Sequence, residues 1–194
     1  SGTLGAYVIR PTFLLVVAGY MLLMVAYSYG LKRLVLIDVF AIAAGFVLRA
    51  AGGAVAIGVP ISPWLYVCTM LLALFLGFAK RRHEMTSLEA MAVRHRANLD
   101  AYTVPLLDQL ITIVTAATLM AYSLYTFDAA TVPSNHAMML TVPFVVYAMF
   151  RYLFLIHRRD GGGSPETLLF KDAPLLAAIV CWGVVSVAIL SLAS

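Results

Sequence analysis

Charged residues are scarce in this sequence: Asp, Glu, Lys and Arg together make up 11% of its 194 residues. A soluble domain usually carries about 25% of these residues, so most of this surface does not face water. Cysteine is also scarce, and Cys68 and Cys181 both lie in apolar stretches, where cysteine usually acts as a small packing residue. The four histidines show no metal-ligand spacing. These shortages argue against a soluble domain, a disulfide-stabilised fold and a zinc site.

Apolar residues, in contrast, account for 63% of the chain. Six stretches approach or exceed the roughly 20 residues that cross a bilayer. The sequence therefore predicts an all-α fold, a polytopic transmembrane helix bundle that forms a single domain over residues 1–194. No signal-peptide pattern precedes the first stretch. The predicted spans cover about residues 8–29, 35–57, 63–79, 105–126, 135–156 and 173–193.

Lys and Arg collect in alternate connections between the predicted spans. Short loops that carry these residues stay in the cytoplasm, so the connections after spans one, three and five are predicted inside. The connections at 58–63 and 127–134 carry Asp128 as their only charged residue and are predicted outside. The basic residues flank apolar spans, which favours a membrane interface over nucleic-acid binding. We therefore expect a multi-pass membrane protein whose chemistry faces the cytoplasm.

The connection at 80–104 combines a cationic start with an amphipathic pattern. Lys80-Arg81-Arg82-His83-Glu84 could simply mark the cytoplasmic side, or it could offer donors to phosphate and a carboxylate oxygen to Mg²⁺. Thr86 to Glu89 matches a capping box, and apolar residues then recur at helical spacing. We therefore predict an amphipathic helix on the membrane surface; the alternative is a solvated connector.

Asp38 and Arg49 are charged residues within the second predicted span. Ionisable residues in the hydrocarbon region are costly and normally face a partner or a polar cavity. Their spacing of eleven residues places them on nearly one helix face, about 16 Å apart, with Gly45 between them. We expect this face to line a polar cavity; the alternative is two internally hydrogen-bonded structural residues.

The last cytoplasmic connection also carries polar features. Arg151 and Arg158 lie near the inner end of span five, where snorkelling would satisfy them. The segment 161–166 predicts a flexible turn into a short helix, with Ser164 as N-cap and Pro165 at the first helical position. Glycine amides at a helix start can hold phosphate, but this segment lacks the Gly-Lys-Ser/Thr ending of a P-loop.

Several strings in the chain are more specific than these general patterns. The sequence resembles the decaprenyl-phosphate phosphoribosyltransferase family of the UbiA-type prenyltransferase superfamily. The strings that carry the resemblance are Tyr27-Ser28-Tyr29-Gly30-Leu31-Lys32-Arg33 with Asp38, Ala44-Gly45-Phe46-Val47-Leu48-Arg49-Ala50, Lys80-Arg81-Arg82-His83-Glu84, Pro143-Phe144 together with Phe150-Arg151-Tyr152-Leu153, and Gly162-Gly163-Ser164-Pro165-Glu166 with Asp172.

The resemblance implies a nine-helix fold of which these would be the last six, with three further helices before Ser1. The predicted orientation also requires an odd number of preceding spans if the whole protein starts in the cytoplasm. The aspartate-rich motif that the superfamily uses to bind Mg²⁺ does not occur in this sequence. At the position of the second such motif, after span three, the sequence has the cationic segment at 80–84 instead.

The reaction that the resemblance implies transfers 5-phosphoribose from phosphoribosyl pyrophosphate to decaprenyl phosphate, for synthesis of a cell-wall arabinan precursor, with Mg²⁺ as cofactor. The expected partners are this sugar donor, the polyprenyl phosphate and membrane lipids; homo-oligomer formation stays open. Asp38 and Glu84 are candidates for assisting the metal or the ribose hydroxyls. Arg49 and Tyr29 are candidates for contacting the lipid phosphate or bracing the cavity. Phosphate-binding candidates are Lys32, Arg33, Lys80, Arg81 and Arg82, followed by Arg151 and Arg158.

Two other functions remain open from the sequence. One is a UbiA-type prenyltransferase that acts on an aromatic acceptor. The other is a non-catalytic membrane bundle, such as a transport subunit.

Overall fold

The computed structural model describes residues 11–59, 62–91, 102–128, 132–133, 135–158, 168 and 170–193. Six α-helices make up most of this part of the chain, and no strand occurs in it. Two short 3₁₀ turns, Leu31–Arg33 and Ala137–Thr141, precede the second and fifth helices. The helices are α1 Pro11–Tyr29, α2 Ile37–Ile57, α3 Pro63–Met91, α4 Val104–Asp128, α5 Val142–Arg158 and α6 Ala173–Ala193.

The helices confirm the predicted fold class, an all-α polytopic membrane bundle. Helices α2, α3, α4 and α6, and α5 together with its 3₁₀ turn, are long and apolar enough to cross a bilayer, and α1 is a shorter apolar helix. Many large apolar side chains point outward from the bundle, including Leu15, Leu22 and Leu192. Such outward apolar surface suits lipid rather than water as the surrounding solvent.

The chain packs as neighbouring pairs of helices. Contacts join α1 to α2, α2 to α3, α3 to α4 and α5 to α6, and a smaller contact joins α4 to α5. The buried core lies towards the starts of α2, α4 and α6 and the ends of α3 and α5. Its largest fully buried side chains include Phe75, Phe78, Leu107, Leu155 and Leu175.

Two glycines bring helices close together. A Cβ atom on Gly77 of α3 would lie 2.5 Å from Cγ1 of Val39, a fully buried residue of α2. Glycine is therefore required for α2 and α3 to cross at this distance. Gly45 lies in the contact between α1 and α2, where glycine is less strictly required, since a Cβ atom there would lie 3.4 Å from the Met24 side chain.

The structure corrects the predicted capping box after span three. Helix α3 continues from Pro63 to Met91, so Thr86 lies inside a helix rather than at its start. Its hydroxyl donates a hydrogen bond to the carbonyl oxygen of His83, which is a helix-interior pattern. The later part of the predicted surface helix, residues 92–101, lies outside the described residues, as do Ser164 and Pro165.

Candidate functional site at the charged end

We use "charged end" for the end of the bundle where α2, α4 and α6 begin and α3 and α5 finish. The side chains that form the ion pairs described at this end are Asp38, Arg81, Glu84, Arg82, Asp108, His157, Arg151 and Asp172. The connections predicted to be cytoplasmic all join helices at this end.

A buried ion pair links α2 to α3 at the charged end. Nε of Arg81 donates to a carboxylate oxygen of Asp38 at 2.9 Å, and the two side chains are only 7% and 1% exposed. Arg81 also donates from Nη1 to Glu84, one turn further along α3, at 2.5 Å. One guanidinium therefore holds both of the carboxylates that were predicted to assist metal or ribose.

Tyr102 completes this network from the residues just before α4. Its hydroxyl donates to the other carboxylate oxygen of Asp38 at 3.0 Å and accepts the backbone N–H of Leu36 at 2.6 Å. Leu36 has a positive φ of 66°, which is unfavourable for a leucine, and it directly precedes α2. Burial raises the pKa of Tyr102 to about 12, so the hydroxyl stays protonated and remains a donor near neutral pH.

A second group of ionic contacts joins α3, α4 and α5. Nε of Arg82 donates to Asp108 at 2.6 Å, and Nη1 donates to the backbone carbonyl of Ile156 at 3.1 Å. His157 approaches the same Asp108 oxygen at 3.4 Å. Arg82 therefore ties the start of α4 to the end of α5.

A third ion pair joins α5 to α6. Arg151 makes a two-pronged contact with Asp172, with Nε and Nη2 at 3.0 and 2.9 Å from its two oxygens. Asp172 is buried and also accepts the backbone N–H of Leu175 at 3.0 Å, so it caps the N-terminus of α6. The two-pronged geometry is the stronger form of an arginine–carboxylate contact.

Other predicted phosphate-binding residues are exposed near this end. Lys32 and Arg33 lie on the 3₁₀ turn before α2, and Lys80 lies beside Arg81 on α3. Arg158 is exposed at the end of α5, with its guanidinium 5.5 Å from the centre of the Phe154 ring. Tyr29 is 83% exposed at the end of α1.

Arg49 does not join the charged end. It is exposed on α2, its Nε donates to the carbonyl oxygen of Gly45 at 3.2 Å, and its guanidinium lies over the rings of Phe46 and Tyr20. Asp38 instead points into the α2–α3 contact. The structure therefore does not bring Asp38 and Arg49 into the common polar cavity that their spacing predicted, and it gives Asp38 the internal partners of the alternative interpretation.

An apolar cavity of about 410 Å³ lies between α3, α4, α5 and α6. Near the charged end the cavity is lined by Phe75, Tyr152 and Leu175. Tyr152 directly follows Arg151 in the sequence, and Leu175 lies three residues after Asp172. At its other end Trp182 donates from Nε1 to the hydroxyl of Tyr122 at 2.6 Å. The cavity can therefore take a hydrocarbon chain whose polar end lies near the charged end.

Metal-binding groups are sparse in the part of the chain that the structure describes, where no three His, Cys, Asp or Glu side chains gather into a potential metal site. Both oxygens of Asp38 already accept hydrogen bonds, from Arg81 and Tyr102. Glu84 is 24% exposed and can offer a single carboxylate. The described residues alone therefore do not form a magnesium site.

Four residues of the charged end were missing from the predicted site: Asp108, Asp172, His157 and Tyr102. A carboxylate just inside an apolar span, as at Asp108, is a signal that the sequence does contain. The sequence gives no comparable sign for Tyr102, because its role depends on its contacts with Asp38 and Leu36 at the start of α2, which only the fold brings about.

Together, the fold and the site define a polytopic all-α membrane protein with an apolar cavity next to a network of ion pairs at one end. No family model matches the chain. Its sequence is similar to proteins named decaprenyl-phosphate phosphoribosyltransferase from three organisms. The relative from Mycobacterium tuberculosis is 27% identical over 180 residues, which is 92% of this chain and 58% of the relative.

The other two relatives match this chain to a similar extent. The protein from Mycolicibacterium smegmatis is 31% identical over 179 residues, covering 87% of this chain and 55% of the relative. The protein from Corynebacterium glutamicum is 29% identical over 170 residues, covering 86% and 51%. These matches confirm the resemblance to the decaprenyl-phosphate phosphoribosyltransferases that the sequence predicted. It spans about half the length of the curated relatives it matches.

Proposed function

We propose that this protein takes part in transfer of 5-phosphoribose from phosphoribosyl pyrophosphate to a polyprenyl phosphate in the plasma membrane, with release of pyrophosphate. The observation that carries the proposal is the sequence similarity, over 86–92% of the chain, to proteins named for this class of transfer. The product would be a precursor of cell-wall arabinan.

The layout of the site supports an amphiphilic acceptor. A polyprenyl chain requires an apolar environment, whereas its phosphate must stay near water and cations. The cavity between α3 and α6 meets the first requirement, and its wall at Tyr152 and Leu175 adjoins the Arg151–Asp172 pair. An acceptor seated there would present its phosphate at the charged end.

Burial divides the basic residues into two groups. Arg81, Arg82 and Arg151 already bind carboxylates, so we assign them to positioning the helix ends that frame the site. We assign phosphate contact to the exposed residues Lys32, Arg33 and Lys80, with Arg158 as a further contact. A flexible ammonium or guanidinium group near water can follow a phosphate as it enters and leaves.

The chemistry of the transfer requires placement more than a strong base. A phosphate monoester is mostly a dianion near neutral pH, since its second pKa is about 6. In the step we propose, an acceptor phosphate oxygen bonds to the anomeric carbon, and the bond from that carbon to pyrophosphate breaks. The leaving group takes the electron pair, and nearby cations stabilise its growing negative charge.

We further propose that Mg²⁺ enters with the pyrophosphate of the donor and that Glu84 is the described carboxylate best placed to contribute to its binding. Magnesium in such sites is commonly held by one or two carboxylates plus substrate phosphates and water. Bound there, it would offset the charge of the leaving group.

A transfer assay in membranes that contain the protein tests the proposal. We expect radiolabel from phosphoribosyl pyrophosphate to enter the lipid fraction only when polyprenyl phosphate is supplied. Lys80→Ala should lower the rate about tenfold or more, since a hydrogen bond to a charged group is worth about 1.5–3 kcal/mol. Lys171→Ala is the matched control, because Lys171 is also exposed but lies outside the proposed contact set.

The absence of labelled lipid under any condition, combined with transfer of a polyprenyl group to an aromatic acid, would overturn the proposal. An equal rate in the Lys80→Ala and Lys171→Ala proteins would instead remove Lys80 from the site.

A further inference from the structure

Arg49 is a cation deep inside a membrane-spanning helix. It lies twelve residues after Ile37 and eight before Ile57, or about 18 and 12 Å from the two ends of α2 at ~1.5 Å per residue. The hydrogen bond from its Nε to Gly45 turns the guanidinium back towards the middle of the helix, away from the nearer end. The side chain therefore does not snorkel to the outer membrane surface.

The contacts around Arg49 leave its charge unneutralised within the described part of the chain. The rings of Phe46 and Tyr20 lie 4.6 and 5.4 Å from the guanidinium carbon, and such ring contacts offset only part of the cost of a charge in hydrocarbon. The carboxylates that the structure describes lie near the two ends of the bundle: Asp38, Glu84, Asp108, Asp128 and Asp172.

The surface around Arg49 is shaped for another helix. Phe46, Ala50, Gly53 and Ile57 are exposed and share its side of α2 at a spacing of three or four residues. A Cβ on Gly53 would meet nothing within 4 Å, so the backbone is open there to close approach. Small residues at such positions are typical of packed transmembrane helices.

We infer that this face of α2 packs against a further membrane-spanning helix that carries an Asp or Glu at the depth of Arg49. The Nη groups of a guanidinium form a planar fork that matches a carboxylate, which would neutralise the charge and satisfy its donors together. This inference is independent of the transfer reaction proposed above.

Other occupants fit less well. The described residues of a second copy offer no carboxylate at this depth, because their carboxylates lie near the bundle ends. The phosphate of a membrane lipid would have to sink about 12 Å below the start of α2 to reach the level of Gly45. A carboxylate on a neighbouring helix reaches the guanidinium without such a displacement.

Photo-crosslinking in native membranes tests the inference. A photoreactive amino acid at Gly53 should crosslink to a peptide from an apolar span that contains Asp or Glu. Arg49→Met should lower the yield about tenfold, equivalent to ~1.4 kcal/mol of lost association free energy. As a control, the same probe is placed at Val187, an exposed residue of α6. Its crosslink yield should be equal with and without Arg49→Met, which shows that the variant retains its fold.

A change on the partner side keeps this chain intact. Converting the identified Asp or Glu to its amide should lower the Gly53 crosslink by the same factor as Arg49→Met, and the two changes together should lower it no further. Crosslinks only to lipid, to a second copy of this chain or to a span without a carboxylate would overturn the inference. A yield that is unchanged in Arg49→Met would overturn it as well.

Discussion

The Asp38–Arg81 ion pair joins two charges that are both removed from solvent, at 1% and 7% exposure. Burying such a pair costs desolvation, which its attraction and hydrogen bonds offset. In the folded protein, however, each charge compensates the other. Losing one partner leaves a buried charge without compensation, which is far more costly than losing an exposed ion pair.

Single neutral substitutions at this pair should therefore destabilise the protein strongly. We expect Asp38→Asn or Arg81→Met to lower the free energy of unfolding by about 3–5 kcal/mol each. The double variant should be more stable than either single variant, because neither charge is left alone. Reversible denaturant unfolding in mild detergent measures these changes, with Lys80→Met as an exposed control. Strictly additive losses in the double variant would contradict the pairing.

The sequence identified Asp38 as important but could not identify its partner. A carboxylate at the start of an apolar span must be satisfied somewhere, and that argument needs no structure. Arg81 lies 43 positions away, next to the equally basic Lys80 and Arg82. Only the packing of α2 on α3 decides that Arg81 points inward, while Lys80 points outward and Arg82 reaches Asp108.

At the scale of the helix, the crossing of α2 and α3 fixes this ion pair in place. Gly77 lies one turn before Arg81 on α3, and Val39 follows Asp38 on α2. The close contact between Gly77 and Val39 therefore lies next to the point where the charges of the two helices meet. A side chain at position 77 would strike the Val39 side chain, and any separation of the helices that relieved this clash would stretch the Arg81–Asp38 contact.

We expect Gly77→Ala to lower the free energy of unfolding by about 1–3 kcal/mol, the usual cost of overpacking a close contact. Val39→Ala in the same protein should recover part of this loss, because it removes the methyl group that Gly77→Ala would strike. Gly183→Ala is the matched control, since a Cβ there meets nothing within 4 Å. Thermal unfolding compares these effects in the unchanged protein, the Gly77→Ala variant, the double variant with Val39→Ala, and the Gly183→Ala variant. Equal losses at positions 77 and 183 would refute the proposed clash.

The sequence located the helices better than it located their ends. Apolar composition identified all six helices, but charge was taken to end the third span at 79, whereas α3 continues to Met91. A charged segment ends a membrane span without ending a helix, because the helix can continue into water. The capping-box pattern at Thr86 is local, and the continuous helix overrides it.

At the scale of the whole molecule, the polar contacts of the described residues are unequally divided between the two ends of the bundle. The opposite end shows a few local contacts, such as Trp64 donating to Asp128 at 3.2 Å and His136 stacked on Phe127. Since cationic loops are retained inside, the charged end should face the cytoplasm.

Cysteine labelling tests this orientation. In a protein with Cys68 and Cys181 replaced by Ala, single cysteines at Val59 and Asn135 should react with a membrane-impermeant maleimide in intact cells. Cysteines at Lys80 and Lys171 should react only after the membrane is permeabilised. Labelling of position 80 in intact cells would reverse the orientation and place the proposed donor site on the wrong side.

The contact between Arg151 and Asp172 also brings together the two segments that flank the chain between α5 and α6. For a stretch whose ends are already fixed, the entropic penalty of added length grows only slowly, by about 0.6 kcal/mol for each doubling. Folding should therefore tolerate inserted residues between 159 and 167 better than insertions into the much shorter link between α2 and α3. This region is accordingly a suitable place for an affinity tag or a fluorescent reporter.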